Sequence, residues 1–307
     1  MKMFAGSGKT AGVIFASLAA ITFGMNPFFG IPLYQEGLQP LSVLFYRFFF
    51  ASILIAAAML CRKESFKLPL CCLPHVIISG ILLALTCLFW FLTFKIMDSG
   101  IAATILFIYP VMVAMIMRIF YHEKMSLRTI IGIITALGGV ALLCQPGTGS
   151  HVPLKGIIYL LLSGLVYAIY MVALKKSKLR ELPDSTLTFY ALLFSVPVFL
   201  IPLKMGLDLQ MLPSVKAWGN ALGLALFPSL CSFLFTALAI RRIGPTTVAV
   251  LGALEPVTAV VIGAFFFHET MNWKIILGII IILSAVSIVI SSPAAGTDKK
   301  QLPPRVD

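Results

Sequence analysis

Apolar positions run along the chain in blocks of about twenty residues, separated by short clusters of Pro, Gly and charged side chains. Ten blocks stand out: 12–32, 41–60, 73–94, 100–121, 127–144, 155–174, 186–205, 217–239, 246–267 and 274–291. Between them lie Pro32 and Pro40, Arg62-Lys63-Glu64, Asp98-Ser99-Gly100, Gln145-Pro146-Gly147, Lys175-Lys176 and Arg241-Arg242. Crossing about 30 Å of hydrocarbon takes roughly 20 mainly apolar residues. No water reaches the backbone there, so such a block closes its own hydrogen bonds as a helix. A membrane barrel would show shorter, alternating segments instead. The pattern predicts an all-α integral membrane protein with ten transmembrane helices. The first block follows Lys2 and Lys9, but it is too long for a signal peptide and nine more follow it.

Composition agrees. Of 307 residues, 60% are hydrophobic and 11% charged, with a mean hydropathy of +1.04, whereas a soluble domain carries roughly a quarter charged residues. Two soluble domains would lack a charged skin. The net charge of +12 does not point to nucleic acid, because the bases fall in short clusters rather than along one face. They follow the membrane instead. With the N-terminus inside, seventeen of the 23 Lys and Arg residues face the cytoplasm, among them Arg62, Lys63, Lys175, Lys176, Arg241 and Arg242. Five (Lys95, Lys155, Lys204, Lys216 and Lys274) face the other side, and Arg47 stays inside a helix. The positive-inside rule then puts both termini in the cytoplasm, in a cell membrane expected to be a bacterial inner membrane. The six cysteines show neither metal-ligand nor disulfide-framework spacing; no metal and no cofactor is expected.

The two halves repeat. An offset of 146 residues aligns Pro110-Val111 with Pro256-Val257, His122-Glu123 with His268-Glu269, Met125 with Met271 and Gly132 with Gly278. An offset of 144 pairs Phe45-Tyr46 with Phe189-Tyr190 and Gly12 with Gly156. Five helices per repeat is an odd number, so the halves take opposite orientations. The expected organisation is a first five-helix repeat over 1–144, a second, inverted one over 155–291, and a cytoplasmic tail over 292–307. Inverted repeats are a device of secondary transporters, whose site lies near the midplane between the repeats.

The segments Ile101 to Gly139 and Thr246 to Ser284 resemble EamA-type domains of the drug/metabolite transporter superfamily. They share a helix with a central Pro (Pro110, Pro256), a terminal Glu (Glu123, Glu269) and a Gly early in the next helix (Gly132, Gly278). Leu254-Glu255-Pro256-Val257 followed by Phe267-His268-Glu269 is close to the family's second-half signature, and Tyr46-Arg47-Phe48 resembles its arginine position. His before each terminal Glu, where Gly is commoner, departs from the pattern. The resemblance implies a ten-helix exporter or exchanger of small polar metabolites.

Arg47 and Glu255 are the two charged residues well inside predicted helices. Insertion scales put the cost of such a charge at about 2.5–3.5 kcal/mol. At about 1.5 Å per residue, Arg47 lies roughly 10 Å from one surface and Glu255 roughly 14 Å from the other. The two depths differ by about 6 Å. Three roles are open: Arg47 holds an anionic group of substrate while Glu255 takes a cationic group or a proton; the two form a gating ion pair; or both only bond neighbouring helices. Their repeat equivalents are Ala191 and Tyr109, so the scaffold does not need the charges in both halves. Asn26, Tyr46, Trp90, Tyr109, Tyr167, Tyr170 and Tyr190 are candidate lining residues. Pro110 and Pro256 each remove a backbone bond mid-helix and are expected to kink it. Glu123 and Glu269 are expected to cap the helices that follow them.

The expected function is secondary transport of a small polar metabolite such as an amino acid, by alternating access. The partners are a small-molecule substrate, protons or a counter-substrate, and the lipid bilayer, with dimerisation open. A membrane-embedded enzyme acting on a lipid or lipid-linked substrate is the alternative, but it calls for clustered His, Asp or Glu, and these are isolated here. Gly6-Ser7-Gly8-Lys9-Thr10 ends like a phosphate-binding loop yet has Met3 where the first Gly belongs.

Overall fold

A computed structural model describes residues 8–93, 96, 102, 105–123, 125–143, 153–266 and 273–290. Asp98, Cys144, His268, Glu269 and the tail from 291 lie outside them, so the expected cap by Glu269 does too. The described elements are helical throughout. In chain order they are α1 (Gly8–Gly24), α2 (Asn26–Gln35), α3 (Pro40–Cys61), α4 (Leu73–Thr93), α5 (Tyr109–Tyr121), α6 (Leu127–Leu143), α7 (Leu154–Lys176) and α8 (Asp184–Leu200). There follow α9 (Val215–Leu224), a π-helical turn (Ala225–Cys231), α10 (Ser232–Ile243), α11 (Pro245–Leu251), α12 (Leu254–Phe266) and α13 (Trp273–Ile290).

Among the described residues, seven helical stretches are long and apolar enough to cross a membrane, including Gly8–Gln35 and Pro245–Phe266, each interrupted by a turn, and Val215–Ile243, which contains the π-helical turn. Three shorter apolar helices, at Tyr109–Tyr121, Leu127–Leu142 and Asp184–Leu200, fall on the remaining predicted blocks. The cap at the start of α6 is Ser126, whose hydroxyl accepts the Thr129 amide at 3.1 Å. It lies three residues beyond Glu123, the residue expected to cap this helix.

The most extensive helix pairings join one half of the chain to the other: α6 to α13, α1 to α10, α4 to α7 and α8, and α3 to α8. Close approach rests on missing side chains. A Cβ on Gly139 of α6 would stand 2.7 Å from Ile282 and 3.0 Å from the Gly278 carbonyl of α13. Two polar knots hold the bundle at opposite ends. At one end Arg241 pairs with Asp184 at 2.5 Å and donates to the carbonyls of Leu179, Arg180 and Leu182. At the other, Gln210 donates to Gly37 and Ser42 and accepts from Gln39 and Tyr46.

Candidate functional site

The Arg47 side chain is fully buried and is held by oxygens that lie beside two prolines. A helix carbonyl normally accepts the amide four residues on, and proline has none to give. Pro27 therefore leaves the Phe23 carbonyl without that donor, and the chain breaks at Met25 between α1 and α2. Asn26 Nδ2 takes up the Phe23 carbonyl at 2.7 Å, and its Oδ1 accepts Arg47 NH1 at 2.7 Å. Pro228 does the same to the Leu224 carbonyl within the π-turn. The Ser229 hydroxyl donates to Leu224 at 3.0 Å and accepts Arg47 Nε at 2.6 Å. The Pro228 carbonyl accepts Arg47 NH2 at 3.1 Å.

All three acceptors are neutral. Among the described residues no carboxylate pairs with Arg47. Its charge faces rings instead: Phe91 at 5.4 Å, Phe48 at 5.6 Å, and Phe23 and Phe233 at 5.9 Å. Each such contact contributes about 0.5–2 kcal/mol, which partly offsets the cost of desolvating the guanidinium.

Glu255 stands in the first turn of α12, where the helix dipole favours a carboxylate. Tyr109, the first residue of α5, donates to its Oε1 at 3.3 Å. Pro110 and Pro256 occupy the first turns of α5 and α12 rather than the middle of a bent helix. Before them the chain makes turns at Phe107-Ile108 and Gly252-Ala253. The expected kinks are thus breaks, because each proline denies a bond to the turn before it and the chain leaves the helix there. Each break leaves a new helix N-terminus, at Tyr109 and at Leu254.

Aromatic rings connect the two charges. Phe23, on which the Arg47 charge rests, stacks on Trp90 (5.1 Å) and Tyr167 (6.4 Å), and Tyr167 meets Tyr109 edge-on at 5.1 Å. Arg47 and Glu255 do not pair with each other, so the ion-pair role is not realised in this structure.

Residues 10–145 and 154–291 each match the EamA-like transporter family. The chain belongs to that family. An EamA-like relative in Archaeoglobus fulgidus, bearing the name uncharacterized transporter, is 25% identical over 289 residues, covering 92% of this chain and 98% of its own. A second from the same organism is 28% identical over 196 residues, 62% of this chain and 67% of its own. The uncharacterized transporter YvbV of Bacillus subtilis is 22% identical over 207 residues, 63% of each chain. A solved crystal structure that is 14% identical superposes with a TM-score of 0.79 over 91% of this chain and 96% of that one; this likeness is one of fold. The EamA-like protein is a multi-pass membrane transporter.

Of the sequence-predicted site residues of this EamA-like chain, Arg47 and Asn26 meet directly, Trp90 joins them through Phe23, and Tyr109 meets Glu255. Tyr46 goes elsewhere: its hydroxyl donates to the Gln210 carbonyl at 3.0 Å, because adjacent residues on a helix point about 100° apart. Tyr190 likewise leaves the site and binds the Phe66 carbonyl. Ser229, Pro228, Phe23 and Tyr34 were not anticipated. The Pro228-Ser229 pair inside an otherwise apolar block was the available signal.

Proposed function

We propose that this EamA-like transporter is a secondary exporter or exchanger that moves a small polar metabolite, such as an amino acid, by alternating access. The two moving parts are inverted five-helix repeats, 1–144 and 155–291, spanning the membrane ten times with both termini cytoplasmic. The three shorter helices complete the spans, and the distribution of Lys and Arg supports the orientation.

The observation that carries this reading is the meeting of Tyr109 and Glu255. They are equivalent positions of two repeats, at the N-termini of two broken helices, joined by rings to a buried arginine with no acidic partner among the described residues. Broken helices at a repeat interface are where secondary transporters bind substrate. Arg47 holds the anionic group of the substrate, and Glu255 receives its cationic group or a proton. Asn26 and Ser229 orient Arg47, and Tyr109 orients Glu255.

Purified protein screened against a metabolite panel for thermal stabilisation identifies the substrate, since a ligand stabilises the state that binds it. The stabilising compound then shows counterflow in proteoliposomes. Turnover of a lipid-linked compound in detergent, with no counterflow, would make the protein an enzyme instead.

A further inference from the structure

Arg47 has donors to spare. Guanidinium carries five N–H groups, and three are used by Ser229, Asn26 and Pro228, so two have no acceptor among the described residues. The Tyr34 hydroxyl oxygen is also buried, without a hydrogen-bond partner among the described residues. Tyr34 packs its ring against Phe91 at 6.3 Å, the same ring that carries the Arg47 charge at 5.4 Å. Buried donors without acceptors are costly, and a buried cation without a counter-charge is costlier still.

We propose that Tyr34 and Arg47 together form a carboxylate subsite selective for a singly charged group. The inference deepens the transporter reading and rests on it. The two spare guanidinium donors and the Tyr34 hydroxyl, on groups that share the Phe91 ring, suit an acceptor with two oxygens and several lone pairs. One negative charge neutralises Arg47, whereas a phosphate dianion would leave a net buried charge. Phe23, Phe91 and Phe233 leave the flank of the site apolar, so the body of the carboxylate compound is apolar where it meets them. Tyr34→Phe removes one donor and keeps the ring, so the variant retains the packing against Phe91.

The test uses thermal unfolding of the purified full-length protein, titrated at constant ionic strength with phenylacetate, phenylacetamide, phenyl phosphate and chloride. Phenylacetate is expected to stabilise the wild type saturably and to bind about tenfold more weakly to Tyr34→Phe, the loss expected for one hydrogen bond to a charged group. Phenylacetamide and phenyl phosphate are expected to bind at least tenfold more weakly than phenylacetate. Unchanged phenylacetate affinity in Tyr34→Phe, or no saturable effect in the wild type, overturns the subsite. Chloride binding that phenylacetate does not displace also overturns it, as a halide site. If counterflow persists in proteoliposomes while phenylacetate fails to bind, the subsite falls and the transporter stands. Carboxylate binding without counterflow of any metabolite supports the subsite and removes the transporter.

Discussion

Tyr109 and Glu255 are 146 residues apart, the spacing of the repeat itself, and the tyrosine hydroxyl donates to the carboxylate. The contact joins the two family-matched segments, with a different side chain from each. A neutral donor from one segment meets an acid from the other, so the contact itself is asymmetric.

Gly252 makes room for this contact. A Cβ there would overlap the Tyr109 hydroxyl and stand 2.9 Å from the Ala249 carbonyl. Gly252→Ala is expected to destabilise by about 1–3 kcal/mol, as overpacking does. Adding Tyr109→Phe removes the overlapping oxygen, so the double variant is expected to recover part of that loss. Thermal unfolding of the four proteins of the cycle measures the coupling.

Gly24 plays the corresponding part from α1. A Cβ on it would lie 2.6 Å from the Glu255 carbonyl and 2.7 Å from Thr258. Gly24→Ala is expected to push α1 from α12 and lower stability by about 1–3 kcal/mol. Gly138→Ala, where a Cβ meets nothing within 4 Å, is the control expected to leave the unfolding temperature nearly unchanged.

Arg47→Lys keeps the charge and loses the fork. A lysine ammonium cannot reach the acceptors on α2 and the π-turn with the same planar geometry. The variant is expected to lose at least tenfold in transport at unchanged membrane insertion, measured as initial rate per inserted molecule.

The fold was largely legible in the sequence, the site only in part. Blocks of apolar residues mark helices because lipid forces the backbone to satisfy itself, and the 146-residue offset alone aligns Glu255 with Tyr109. Arg47 and Glu255 stood out because charge is scarce. The residues that hold Arg47 did not, because Ser229, Pro228 and Phe23 are neutral and common in membrane helices. Their role comes from tertiary approach: α2 and the π-turn are distant in sequence and converge on one guanidinium. Tyr46 points away from Arg47, toward Gln210, because neighbours in sequence diverge around a helix. The breaks at Pro110 and Pro256 were expected as kinks, since a proline's sequence position does not say whether the preceding turn survives.

Orientation can be read from natural cysteines. Cys61 and Cys71 are exposed in the segment that carries Arg62 and Lys63. In a variant lacking Cys144, a membrane-impermeant maleimide is expected to label inverted vesicles and spare intact cells. Labelling of intact cells would reverse the assigned topology.

The most direct test is counterflow in proteoliposomes as a function of pH, comparing wild type with Glu255→Gln and using a metabolite that stabilises the purified protein. The wild type is expected to exchange external for internal substrate, and Glu255→Gln to lose at least tenfold in rate together with the pH dependence. A Glu255→Gln protein with the rate and pH profile of wild type, or a wild type without counterflow for any stabilising metabolite, would contradict the account.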